Sequence, residues 1–78
     1  LSYQEQKEWD KMEGQIEKAE TTLATCETAV QDPAILSDAA ALQERYAALD
    51  AARTAVDRLY TRWAELEAKR AQASAVQP

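Results

Sequence analysis

Apolar residues recur along this chain at alternating spacings of three and four, and the recurrence is interrupted once, at Asp32-Pro33. Such spacing keeps one narrow apolar stripe on a helix and leaves the remaining surface polar. Before the interruption the stripe is Trp9, Ile16, Leu23 and Val30 at heptad position a, with Met12, Ala19 and Cys26 at d. After it, Leu42, Leu49, Val56 and Trp63 occupy a, while Ala52, Leu59 and Leu66 occupy d; Arg45 is the one polar intruder. Proline lacks an amide donor and disfavours helical geometry in the residue before it, so a first helix has to end near Gln31. It begins near Tyr3, where Ser2 and Glu5 have the spacing of a capping box. Ser37 and Asp38 are both suitable N-caps for a second helix from about Ala39 to about Arg70. The remaining residues, 71–78, carry no stripe and are expected to be frayed or disordered.

A connection of about seven residues, 32–38, joins neighbouring helices only in antiparallel fashion. The two stripes then fit one register: Met12 opposite Trp63, Ile16 opposite Leu59, Ala19 opposite Val56, Leu23 opposite Ala52, and Cys26 opposite Leu49. In this register small residues face larger ones, Glu20 faces Arg53 along one flank, and Glu8 faces Lys69 along the other. Such exposed pairs contribute about 0.2–1 kcal/mol each, enough to favour a register but not to hold a fold. Phe is absent, Gly occurs once and charged residues make up 29% of the chain, a composition suited to a seam rather than a globular core. The expected fold is all-α, an antiparallel two-helix coiled-coil hairpin forming one domain over residues 1–70.

The same composition excludes most chemistry. There is no His and one Cys, so zinc sites of His and Cys, internal disulfides and His-assisted nucleophilic catalysis are absent from this chain. No catalytic and no metal-binding residue is assigned, and the fragment is expected not to be an enzyme. Cys26 sits at d, where a small apolar residue packs. Trp9 and Trp63 fall on the seam and are expected to pack there rather than stack on bases. Tyr46 and Tyr60 fall at e, opposite Glu27 and Glu13, whereas Tyr3 fits either role. The fourteen carboxylates read as a solvated surface. No apolar run reaches the ~18 residues of a membrane span. A cytoplasmic protein without a membrane partner is expected, and a start at Leu1 suits a module cut from a longer chain.

A net charge of −5 ordinarily argues against nucleic acid. Placed on the heptad, however, the charges segregate. Positions e and b carry Asp10, Glu13, Glu17, Glu20, Glu27, Asp50, Asp57 and Glu67, relieved by Arg53. The opposite flank carries Lys7, Lys11, Lys18, Arg58, Arg62 and Lys69, diluted by Glu8, Glu44 and Glu65. An antiparallel hairpin brings the g edges together on one side, so these six cations are the candidate nucleic-acid-binding residues, acting through phosphate charge. The rival role is a protein-contact or spacer element, and weak self-association through exposed seam edges is a third.

The opening Leu1-Ser2-Tyr3-Gln4-Glu5-Gln6-Lys7-Glu8, the Asp32-Pro33 turn and the closing Leu59-Tyr60-Thr61-Arg62-Trp63-Ala64-Glu65-Leu66-Glu67 resemble the C-terminal domain of Uup-type ABC-F ATPases, in the ABC transporter C-terminal domain family. Members typically open Leu-Ser-Tyr-Lys-Glu-Gln-Arg-Glu, so Gln4 replaces a lysine and Lys7 is the basic position that matches. Gly14 stands near a point where many relatives have proline. The resemblance implies a hairpin that binds DNA, with ribosomal RNA as a further candidate ligand, appended to the ATPase cassettes of the same chain. It also implies ATP and magnesium for the parent, with no cofactor in this fragment, and a link to the ribosome; contact with a ribosomal protein belongs to the rival protein-contact role.

Overall fold

The computed structural model describes the backbone of residues 1–76 and the side chains of residues 1–73. Two helices, α1 (Tyr3–Ala29) and α2 (Ala39–Val76), flank a single 3-10 turn, Pro33–Ile35, and pack along their lengths as an antiparallel hairpin of 64 × 16 × 15 Å.

Each helix begins where side chains satisfy amides that have no partner in the first turn. Ser2 is extended at φ −66°, ψ 167°; its hydroxyl accepts from the Glu5 amide at 3.1 Å while the Glu5 carboxylate accepts from the Ser2 amide at 3.1 Å. Both halves of the capping box are therefore made. Of the two candidate caps for α2, Asp38 serves: its carboxylate accepts from the Ala41 amide at 3.0 Å. Asp32 caps the 3-10 turn in the same way, accepting from Ala34 at 3.0 Å, with Pro33 at the first position.

The chain leaves α1 at Ala29, with Val30 as C-cap, two residues before the stop that Pro33 requires. A tertiary contact accounts for the early exit. Arg45, the polar intruder in the α2 stripe, donates to the Ala29 carbonyl at 2.8 Å and to the Asp32 carboxylate at 3.3 Å. One guanidinium thus ties the last carbonyl of α1 to the turn. Ile35 folds back beneath this end and is buried, whereas Leu36 beside it is 67% exposed.

The seam follows the three-four spacing: Met12, Ile16, Leu49, Ala52 and Leu66 are buried, and Ala19, Leu23, Cys26, Leu42, Val56 and Leu59 are half-buried between them. Met12, Ile16 and Leu66 form the densest cluster, with Trp9 and Leu59 packed against it. Trp63 departs from the expected packing. It is 37% exposed, and Leu66 takes the deepest place at 0%. A two-helix seam has no third layer to cover its edges, and Trp9 already brings one indole to this level. The second is displaced outward, its ring 6.2 Å from Trp9 and 6.2 Å from Tyr60.

Helix α2 continues six residues past Arg70, the end expected from the stripe, to Val76. Arg70 is the next seam position after Trp63 and Leu66, and its guanidinium lies 4.3 Å over the Trp9 ring. Ala71, Gln72 and Ala73 then propagate the helix, having strong helix propensity and no Gly or Pro among them. Residues 77 and 78 of the expected tail lie outside the described residues.

Gly14 sits mid-helix on the exposed surface, and a Cβ built there meets nothing within 4 Å. Its backbone is helical, so alanine removes an entropic cost without a steric one. Gly14→Ala is expected to raise unfolding stability by about 1 kcal/mol, read as a higher urea midpoint with unchanged slope. A lower midpoint would mean that the position carries a contact absent from this fold.

Candidate nucleic-acid interface

The six candidate cations fall into two groups. Lys7, Lys11 and Lys18 are spaced by four and seven residues on α1, which places them on one outward stripe, and all three are exposed. Lys11 and Lys18 line a shallow depression of about 350 Å³ together with Asp10, Gly14 and Gln15. The Lys7 ammonium lies 4.6 Å over the Tyr3 ring, so Tyr3 supports a cation. Arg58 is exposed on α2. Among the described residues, none of these four joins an ion pair.

Arg62 and Lys69 are engaged within the hairpin. Arg62 is half-buried and grips Glu8 with two bonds, from Nε at 2.8 Å and from Nη2 at 2.9 Å; its Nη1 donates to Glu65 at 2.8 Å. Glu5 lies 3.8 Å from the same guanidinium and accepts from Lys69. The expected Glu8–Lys69 pair is thus replaced by Glu8–Arg62 and Glu5–Lys69, because a planar guanidinium fits a carboxylate in bidentate fashion where an ammonium is a point charge. On the other flank, Glu20 meets the Tyr60 hydroxyl, which donates to it, rather than Arg53. Tyr60 accordingly pairs with Glu20 and not with Glu13.

The carboxylates at the open end respond to these partners. The Lys69 ammonium and the Ser2 amide hold Glu5 down at about 2, against an ordinary 4.5. Arg62 lowers Glu8 and is itself held more firmly protonated by Glu8 and Glu65. Asp32 is lowered by the Ala34 amide and Arg45, and the Tyr60 hydroxyl is pushed up by the Glu20 carboxylate. A carboxylate depressed in the folded state contributes stability that is fully present above its unfolded value and lost as pH falls through the folded one. The Glu5 contribution is therefore present above about 4.5 and disappears toward about 2. Thermal melts across that window should fall more steeply for wild type than for Glu5→Gln. Parallel pH profiles would show that Glu5 adds nothing to the cap.

A different surface lies along the acidic edge. Trp9, Asp10, Glu13 and Trp63 line a groove of about 420 Å³, and Tyr60 extends its aromatic row. The heptad pattern does not reveal this groove, since it counts Trp63 as core. Arg70 is not among the sequence candidates either, although its seam spacing from Leu66 is a signal that points to it. No group of three or more His, Cys, Asp or Glu side chains capable of holding a metal occurs among the described residues. No described helix is long and apolar enough to cross a membrane.

The family model for the ABC transporter C-terminal domain matches residues 1–68, which take in the capping box, α1, the turn and the whole buried seam. The chain belongs to this family. Within this ABC transporter C-terminal domain the matched span includes Lys7, Lys11, Lys18, Arg58 and Arg62, and stops just before Lys69 and Arg70. No curated protein and no solved structure matches the chain.

Proposed function

We propose that this domain is a non-catalytic nucleic-acid-binding module, carried by a cytoplasmic ABC-F protein of the Uup type whose cassettes use ATP and magnesium. The observation that carries the reading is the unpaired lysine stripe. Lys7, Lys11 and Lys18 project from one face of α1 with no carboxylate among the described residues bridged to them, in a chain whose net charge is −5. The stripe rises about 16 Å along the helix, a length over which one strand of duplex DNA presents roughly five phosphates. Arg58 adds a fourth free cation from α2. Arg62 and Lys69 hold the open end together and orient the two helices. Phosphate contact of this kind is indifferent to base sequence, so duplex DNA and a structured RNA, ribosomal RNA included, are both suitable ligands.

Fluorescence anisotropy with a labelled DNA duplex and a labelled RNA hairpin tests the reading. Three neutralised phosphates predict a loss of about 40-fold in affinity between roughly 50 and 200 mM salt. Salt-insensitive binding, or none at low salt, would transfer the role to protein contact or to spacing of the cassettes, for which the exposed aromatic edge is the supporting feature.

A further inference from the structure

The aromatic row on the acidic edge has a chemistry of its own. Trp63 and Tyr60 are 37% and 42% exposed, and their rings continue from Trp9 as a row in which successive rings are tilted by 48° and 46°. The polar lining of the groove between Trp9 and Trp63 is two carboxylates, Asp10 and Glu13. Neither joins an ion pair among the described residues; Asp10 accepts a single hydrogen bond, from the Gln6 amide at 3.0 Å. Trp9 already carries one guanidinium, that of Arg70, at 4.3 Å. Exposed π faces beside uncompensated carboxylates attract a cation with an apolar stem and repel a phosphate or a nucleobase strand carrying one. Base stacking on Trp63, which its exposure would otherwise favour, is opposed by these two charges.

We infer that the Trp9–Asp10–Glu13–Trp63 groove is a docking site for an arginine side chain presented by a basic peptide segment of a protein partner. The guanidinium would lie against the Trp63 ring and donate to Asp10 and Glu13, with its methylenes along the exposed edge of Trp9. A volume of about 420 Å³ admits a long side chain and its neighbours rather than a folded ligand. Asp10 borders both this groove and the depression lined by Lys11 and Lys18, so the two surfaces adjoin along α1 and a peptide in the groove lies beside the lysine stripe.

Titration of the 78-residue chain with an octa-arginine peptide, followed by tryptophan emission, tests the inference. Binding should change the emission, and Asp10→Asn with Glu13→Gln should weaken it about ten-fold, as should Trp63→Ala. Glu27→Gln with Asp50→Asn removes the same charge from the loop half of the acidic edge and should alter affinity by less than about two-fold. Equal weakening by both double variants would reduce the effect to general charge attraction and overturn the site. An unchanged emission, or a groove occupied by a second copy and detected as a dimer that the peptide does not displace, would also overturn it. The Asp10 and Glu13 changes lie off the buried seam, so their outcome stands even where Trp63→Ala alters folding.

Discussion

Replacing Lys7, Lys11 and Lys18 together with glutamate should reduce duplex-DNA affinity at about 50 mM salt by at least about 100-fold while leaving the helical circular dichroism unchanged. All three are exposed and join no ion pair among the described residues, so the substitution removes three phosphate partners and adds three repulsive charges at the cost of one exposed cation–π contact, Lys7 on Tyr3. Glutamate is as good a helix former as lysine. Arg62 has to be left out of such a variant. A glutamate there would face Glu5, Glu8 and Glu65, and loss of binding would be inseparable from loss of the open end. Reversing Glu17 and Glu27 to lysine on the other edge supplies the control, which should bind at least as tightly as wild type. Equal loss in both variants, or retained affinity in the lysine variant, would remove the phosphate-contact reading.

Leu66→Ala should be the most destabilising single change in the chain, about 3 kcal/mol and roughly 15 °C in melting temperature. Leu66 is fully buried against Met12 and Ile16, and a hairpin with so few buried residues has nothing to collapse into the vacated space. A domain of this size has a total stability on the order of 4–12 kcal/mol, so the loss is a large share of it. The heptad assigns an effect of that size to Trp63→Ala instead. The structure assigns Trp63 a smaller one, because 37% of the residue is already in water. Melts in which Trp63→Ala unfolds the chain and Leu66→Ala does not would reverse the packing described above.

The contrast between those two residues shows where local reading reaches its limit. Trp63 and Leu66 both sit on the stripe, and period alone cannot say which of them an opposing Trp9 will displace. The same holds for charge. Glu8 was legible as an anion facing Lys69 and Glu5 as half of the capping box, but the assignment of Glu8 to Arg62 and Glu5 to Lys69 depends on side-chain shape and reach across the helices. Of the six basic candidates, the sequence placed all on one flank with equal standing. Only the packed hairpin divides Lys7, Lys11, Lys18 and Arg58, which are free, from Arg62 and Lys69, which are tied.

What the sequence determined by itself is what nearest neighbours determine: the capping box at Ser2 and Glu5, the break at Asp32-Pro33, a second start at Ser37 or Asp38, and two stripes that can be buried against each other. These rest on hydrogen bonds and backbone sterics within a few residues, and on a helical period that repeats in the chain itself. The tertiary structure decided the exit of α1 through Arg45, the burial of Ile35, and the turning of Trp63 into an acidic groove. Each of those depends on contacts between separate elements, which exist only when the two helices and the turn are packed together.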